Sequence, residues 1–195
     1  MDHIKEKKRE IRKEVSERLS SLSSDEISKR YEAIATRLFE FANFLESRII
    51  FLYYSRKGEV FSQKILKRCL ESSKIVVLPA LDPARHRMKL LKVDHLSKDL
   101  ILGPAGILQP DPARCKPVPI DRVDIAIVPG IAFDEKGGRV GTGEGYYDRL
   151  IPRLPVTTRK VALSLEAQIL PQVPMESHDK HVDIIITEDR VIYKI

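Results

Sequence analysis

The chain alternates compact apolar runs of strand length with segments whose apolar residues recur every three or four positions. Ile4, Ile11, Val15 and Leu19 draw a thin apolar stripe through a highly charged stretch, which predicts a helix over residues 4–20. Ser23-Ser24-Asp25-Glu26 has the spacing of a capping box. It opens a second helix with Ile27, Tyr31, Ile34, Leu38 and Phe41 on one face. Apolar runs predict strands over residues 48–54, 74–78, 123–128, 160–165 and 183–187, the second of them stopped by Pro79. A short helix is expected over residues 62–71, and another over residues 146–150, ended by Pro152. Residues 87–93 read as a strand with one wetter face, because Met88 and Leu90 alternate with basic residues. Residues 190–194 fold back on the preceding strand across a Glu188-Asp189 turn, and the Pro- and Gly-rich residues 103–119 read as a connector or ligand-facing loop.

Strands that are apolar throughout and alternate with helices predict an α/β fold. The expected architecture is a mostly parallel, Rossmann-like sheet with helices on both faces. No linker, repeat or low-complexity tract divides the sequence, so residues 1–195 read as a single domain. In such sheets ligands bind beyond the carboxyl ends of the strands.

Charge narrows the ligand class. The formal net charge is +6 and the pI about 9.3, which favours anionic partners: nucleotides, polyanionic small molecules, nucleic acid or membrane surfaces. The basic N-terminal helix is interleaved with acids, and neither an aromatic RNA-binding pattern nor a DNA-binding motif is present, so no nucleic acid partner is expected. No apolar stretch reaches membrane-spanning length, and no apolar core follows the charged N-terminus. A cytoplasmic, reducing compartment without membrane association is therefore expected, for a monomer or small homo-oligomer. Two cysteines supply neither a disulfide framework nor metal-ligand spacing. Cys69 lies on an apolar stripe with Ile65, Leu66 and Leu70 and reads as core, while Cys115 stands in the Pro-rich connector.

Five of the nine glycines fall between Gly137 and Gly145, after the apolar residues 123–133 and before the short helix. Read as one strand-to-helix loop, this run offers backbone N–H groups to a phosphate. Arg139 within it suits bidentate phosphate contact, and Asp148 at its exit suits magnesium. Gly141-x-Gly143-x-Gly145 is neither a dinucleotide fingerprint nor a Walker A loop, and a tight structural turn would use the same glycines. Lys8 and Arg12, four apart, share one helix face, either solvated or turned to an anion. Histidines 178 and 181, with Asp179 and Asp183 nearby, lack the further ligands a zinc site needs.

The wider pattern carries a resemblance. Residues 129–134 and 139–149, Pro-Gly-Ile-Ala-Phe-Asp and Arg-Val-Gly-Thr-Gly-Glu-Gly-Tyr-Tyr-Asp-Arg, resemble the signature of 5-formyltetrahydrofolate cyclo-ligases. Lys8-Arg9-Glu10-Ile11-Arg12, Tyr53-Tyr54 with Glu59-Val60, and Gly106-Ile107-Leu108-Gln109-Pro110 are similar to other elements of that family. Ala167-Gln168, Val173-Pro174, His178-Asp179 and Val182-Asp183 follow in its order. The resemblance implies an ATP- and Mg2+-dependent closure of 5-formyltetrahydrofolate to 5,10-methenyltetrahydrofolate, with release of ADP and phosphate. Activation by phosphorylation of the formyl oxygen would need no protein nucleophile.

By the same resemblance ATP would contact residues 8–12 (Lys8, Arg9, Glu10, Ile11, Arg12) and the stretch Arg139, Val140, Gly141, Thr142, Gly143, Glu144, Gly145, Tyr146 and Tyr147. The folate would meet Tyr54, Glu59, Thr142, Gly143, Glu144, Gly145 and Tyr146. Asp148 and Asp183 would hold the metal, and Arg139 would act on the transferring phosphoryl group. Each has a plainer reading: Asp148 as a helix cap or partner of Arg149, Asp183 as a strand-end acid facing water, Glu59 as helix charge compensation, and Tyr54 as packing. Three positions depart from the family pattern. Glu144 stands where a basic or small residue is more usual, Thr142 where a basic one is common, and Phe61 where an acid is common. An acid at 144 is expected to point away from phosphate or to weaken ATP binding. A sugar-phosphate isomerase or acyl-transfer enzyme on the same fold is the competing reading.

Overall fold

The computed structural model describes residues 2–194. The chain starts with α1 (Asp2–Ser20), α2 (Ser24–Glu40) and α3 (Ala42–Glu46), followed by β1 (Ile49–Phe51) and α4 (Gln63–Glu71). β2 (Ile75–Asp82) and β3 (Arg87–Val93) form an antiparallel pair. The one-turn α5 (Leu96–Asp99) leads to the hairpin of β4 (Leu100–Leu102) and β5 (Leu108–Pro110). Then come β6 (Ile125–Ile127), the hairpin of β7 (Ala132–Asp134) and β8 (Arg139–Val140), and the short α6 (Tyr146–Leu150). β9 (Arg159–Leu163), β10 (Ile169–Leu170), β11 (Ile184–Ile186) and β12 (Val191–Tyr193) complete it. The capping box forms as expected: the Glu26 N–H donates to Ser23 Oγ at 3.3 Å, and the Ser23 N–H donates to the Glu26 carboxylate at 2.9 Å.

The main sheet has seven strands in the order β12-β11-β9-β6-β1-β2-β3. The five inner strands are parallel, and the edge strands β3 and β12 run antiparallel to their neighbours. Alternate side chains of the inner strands face opposite sides, and both sides are apolar. Ile50, Ile125, Ile127, Val161 and Ile184 pack against Ile34 and Leu38 of α2, Phe44 of α3 and Leu66 and Cys69 of α4. Phe51, Val77, Ala126, Ala162 and Ile185 pack against Leu150, Ile151 and Leu154. Burial on two faces is why these strands read as unbroken apolar runs. The mostly parallel α/β sheet covered on both sides is thus the observed fold. A second sheet, β10-β7-β8, supplies Ala132, Val140 and Leu170 to a smaller cluster with Val15 of α1.

Two expectations need correction. Pro79 does not end its strand. Leu90 turns its carbonyl outward to the Val118 N–H, so Pro79, its partner, faces away from β3 toward the edge that β1 has already left. No ladder bond there needs the donor that proline lacks. Residues 103–119 are not all loop. β4 and β5 pair across a turn at Gly106 (φ 72°), and a side chain at Gly103 would meet Gln109 at 2.5 Å. Gln109 Oε1 accepts the Leu81 N–H at 2.9 Å and ties this hairpin to β2.

A repeated triplet shows why Asp183 sits where it does. Val123-Asp124-Ile125 and Val182-Asp183-Ile184 each enter an inner strand. The Asp124 N–H donates to the Ile49 carbonyl at 3.0 Å, and its carboxylate accepts the N–H groups of Arg48 and Ile49 at 2.9 and 2.7 Å. The Asp183 N–H donates to the Lys160 carbonyl at 2.8 Å, and its carboxylate accepts the Lys160 N–H at 2.9 Å and pairs with its ammonium at 3.0 Å. Both aspartates thus cap the amino end of a neighbouring strand. Asp124→Ala and Asp183→Ala should each remove about 1 kcal/mol of stability, a drop of roughly 2–4 °C in Tm at this chain length. Thermal unfolding followed by circular dichroism tests this, and an Asp183→Ala protein as stable as the parent would deny the capping role.

Candidate active site

Beyond β2 and β3 the chain crosses to the other side of β1, so the strand order reverses between β1 and β6. That is where an open α/β sheet leaves a crevice at its carboxyl ends. A cavity of about 510 Å³ lies there. Residues following β1, residues of β2 and β5, the glycine-rich stretch, and one face of α1 with Glu176 and Asp179 form its walls.

The glycine run does two jobs rather than one. Gly137 (φ 80°) and Gly138 belong to the tight β7–β8 turn, where the buried Asp134 carboxylate accepts the N–H groups of Lys136, Gly138 and Val173 at 3.0, 2.8 and 2.9 Å. Only Gly141, Gly143 (φ 107°) and Gly145 (φ 70°) lie in the loop that enters α6 and lines the cavity. α6 has five residues, so its dipole is small, and the positive field of the loop comes from arginine side chains. Arg12 Nε donates to the Gly141 carbonyl at 2.8 Å, and Arg149 Nη1 donates to the Glu144 carbonyl at 3.2 Å. Arg56 Nη1 pairs with the Glu144 carboxylate at 2.5 Å and lies 3.5 Å from Thr142 Oγ1. Among the described residues, the N–H groups of Thr142, Gly143, Glu144 and Gly145 have no hydrogen-bond acceptor.

Arg139 sits beneath this loop and is only 5% exposed. Its Nη1 donates to the Pro129 carbonyl at 3.1 Å and its Nη2 to Asp148 Oδ1 at 2.9 Å, while its buried Nε has no partner. A side chain on Gly141 would collide with its Nη1 at 2.6 Å, so this glycine is demanded by close approach. Asp148 Oδ1 also accepts the Lys180 N–H at 3.0 Å. Tyr147 packs on Phe51, with ring centroids 6.2 Å apart, and its ring faces Arg139 at 5.8 Å. Burial, with the Glu59 charge adding to it, pushes the Tyr147 phenol well above its ordinary value.

Glu59 is 7% exposed and faces the cavity, its carboxylate accepting the Arg56 N–H at 2.9 Å. Burial raises its pKa above the usual glutamate range, against the opposing pull of that hydrogen bond and of the Arg56 and Arg139 charges. Its loop is pinned from below by Gln168, whose Nε2 donates to the carbonyls of Gly58 and Ile131, both at 2.9 Å. Tyr54 and Tyr146 line the same cavity, half-buried.

Residues 8–12 divide. Lys8 and Arg12 line the cavity, as their shared helix face predicts. Lys8 is nevertheless buried between two acids, 3.1 Å from Glu176 and 2.5 Å from Asp179. Burial works against ionisation of Asp179, but hydrogen bonds from Lys8 and the Glu176 N–H outweigh it and hold this carboxyl below its usual range. Arg9 is exposed and pairs with Glu6 at 2.6 Å, Glu10 is exposed, and Ile11 packs with Val15; none of the three lines the cavity. Asp183, capping β9, does not line it either, so Asp148 and Asp183 are not brought together. His178 is the only histidine at the cavity wall, beside the Lys8 acids, and His181 is exposed. Arg56, Arg149 and Lys5 line the cavity without having been singled out by sequence. The available signal for Arg56 was its place between Tyr54 and Glu59, and for Lys5 its position three residues before Lys8 on α1.

The model of the 5-formyltetrahydrofolate cyclo-ligase family matches residues 4–188. The Caenorhabditis elegans protein named "Probable 5-formyltetrahydrofolate cyclo-ligase" is 30% identical, over 98% of each chain. The Mus musculus 5-formyltetrahydrofolate cyclo-ligase is 29% identical, over 93% of this chain and 94% of its own. The NMR structure of Aquifex aeolicus 5,10-methenyltetrahydrofolate synthetase superposes with a TM-score of 0.84 at 32% identity, covering 96% of this chain and 92% of that one. Agreement over nearly the whole length, in sequence and in backbone, means that the chain belongs to the 5-formyltetrahydrofolate cyclo-ligase family and is a ligase.

Proposed function

We propose that the cavity binds 5-formyltetrahydrofolate and ATP together and closes the folate to 5,10-methenyltetrahydrofolate with release of ADP and phosphate. The observation that carries this reading is the loop of residues 141–145, whose four unpartnered N–H groups and three arginine neighbours suit a polyphosphate. It lies against a wall bearing a buried carboxylate and two tyrosines, which suits a pterin with N–H donors and a flat ring. In this scheme the formyl oxygen forms a bond to the γ-phosphorus while the bond to the bridging oxygen of ADP breaks. Folate nitrogen-10 then bonds to the formyl carbon, loses its proton, and inorganic phosphate departs. The protein's part is positioning and charge neutralisation, with no protein nucleophile.

The residues also fit a magnesium ion. Asp148 lines the cavity with Oδ1 held by Arg139 and the Lys180 N–H, and Oδ2 accepts no hydrogen bond among the described residues. One such carboxylate together with substrate phosphates is an ordinary magnesium set, and the ion would neutralise charge on the phosphates. Asp183 has no part in this reading, because its carboxylate caps β9. Arg139 holds Asp148 and the floor of the loop rather than reaching out as a finger.

Purified protein given ATP, magnesium and 5-formyltetrahydrofolate should gain the near-ultraviolet absorbance of the methenyl product, and none when ATP is omitted. No absorbance gain and no ATP hydrolysis would overturn the proposal. Asp148→Asn keeps an acceptor for Arg139 but removes the charge, so the protein should lose stability while the magnesium concentration for half-maximal rate, measured below its lowered Tm, rises at least about tenfold. An unchanged magnesium requirement would remove Asp148 from the metal site.

Glu59 generates a test in which stability and activity move apart. A carboxyl whose folded pKa is raised is ionised at neutral pH at a cost to the fold, present above the folded pKa and absent below the unfolded one. Glu59→Gln should therefore leave Tm equal or higher while raising KM for the folate about tenfold or more through loss of a charge-assisted hydrogen bond. In the parent, KM for the folate should climb on acidification at a pH above the usual glutamate range, and the variant should lack that limb. An unaltered folate KM in the variant would exclude Glu59 from folate binding.

A further inference from the structure

The cations around the cavity are not equally free. Lys8 is buried between the carboxylates of Glu176 and Asp179, and Arg139 is buried against Asp148 and the Pro129 carbonyl. Both charges are already matched by half-buried acids, and pulling either away would leave an acid unpaired at the cavity wall. Arg12 and Arg149 hold neutral carbonyls of the loop, Arg12 as a part-buried side chain and Arg149 as an exposed one through a single bond of 3.2 Å. Arg56 differs from these four, and from the exposed Lys5 of the cavity wall, in being held by an acid of the glycine loop itself. Its partner, Glu144, is 43% exposed on its side chain, and the Arg56 side chain is itself 23% exposed at the cavity wall. An ion pair of that kind is screened by water and exchanges readily. Arg56 also comes from the same segment as Glu59, not from the glycine loop.

We infer that Arg56 is the exchangeable phosphate-binding cation of this site, and that Glu144 is the counter-ion which holds it until a phosphoryl group displaces the carboxylate. The inference rests on the reading of the cavity as an ATP and folate site, and it adds a binding residue to that reading. Arg56 Nη1 bonds the Glu144 carboxylate and lies 3.5 Å from Thr142 Oγ1, both side chains of the loop whose N–H groups at 142–145 have no acceptor among the described residues. A phosphate oxygen arriving on those N–H groups meets the same guanidinium that Glu144 now occupies. An acid in the middle of a phosphate loop is out of keeping with anion binding unless a cation of its own accompanies it, and Arg56 is that cation. The exchange is a swap of one anion for another on a guanidinium, with no bond made or broken.

Direct binding of the magnesium complex of a non-hydrolysable ATP analogue, by calorimetry, tests this together with steady-state turnover. Arg56→Met should weaken the analogue about tenfold or more and raise KM for ATP similarly, as expected for loss of a charge-assisted contact. KM for the folate should stay within about twofold. Glu144→Gln frees Arg56 and removes a competing anion, so the analogue should bind about threefold tighter or better. Circular dichroism confirms that both variants are folded, since both sites are at the surface of the cavity. Unchanged nucleotide binding in Arg56→Met would overturn the inference. So would weaker binding in Glu144→Gln, which would make the pair a strut for the loop. A parent protein that turns over but whose variants behave alike refutes Arg56 alone, whereas a parent that binds no nucleotide removes the ATP reading and this inference with it.

Discussion

The buried guanidinium of Arg139 is the piece on which the site depends. It joins the end of β6, through the Pro129 carbonyl, to α6, through Asp148, and so closes the stretch that contains the whole glycine loop. It shares in crowding the small residues around it: a side chain at Gly141 would meet its Nη1 at 2.6 Å, and one at Gly130 would meet Phe133 at 2.5 Å and the Arg139 stem at 3.1 Å. Removing one partner of a buried ion pair commonly costs about 3–5 kcal/mol, because the other charge stays behind uncompensated. The loop can therefore be mobile above Arg139 but not detached from it.

Above that floor the cavity is organised by how each charge is matched. Buried cations are matched by half-buried acids, and the loop itself is shaped by arginines bound to neutral carbonyls. The field offered to a ligand is thus set less by the +6 of the whole chain than by the few guanidinium groups with unspent donors at one end of the sheet. This is also why a five-residue helix suffices at the loop's exit: its dipole adds little to charges that already surround the same backbone.

Much of this was legible in the sequence, for identifiable reasons. Apolar runs such as Ile125–Ile127 are buried on both faces, so their strand character and parallel setting follow from composition alone. Cys69, placed in the core by its helical stripe, is buried, and its thiol is pushed up to about 12 by that burial. Lys8 and Arg12 reach the cavity together because four residues on a helix make one face. What was not legible depends on which partner a residue finds. Pro79 looks like a stop until β1 is seen to have ended beside it. Asp183 and Asp124 stand in matching triplets, yet only the register of the sheet reveals that both cap neighbouring strands. The glycine run looks like one loop because spacing does not say that Asp134 gathers the first two glycines into a hairpin turn.

Glu144 shows how a residue that looks discordant in a sequence becomes consistent in three dimensions. Along the chain it is an acid amid glycines, with Thr142 two residues before it, and no side chain between Gly141 and Gly145 is a cation that could face a phosphate. Across the cavity it meets Arg56, which is 88 residues away in sequence and belongs to the segment bearing Glu59. The loop is therefore not deficient in positive charge; part of that charge is contributed by the opposite wall. A contact that spans the cavity also explains why nothing next to Glu144 in the sequence announces it: its partner is set by how the segment after β1 faces the glycine loop.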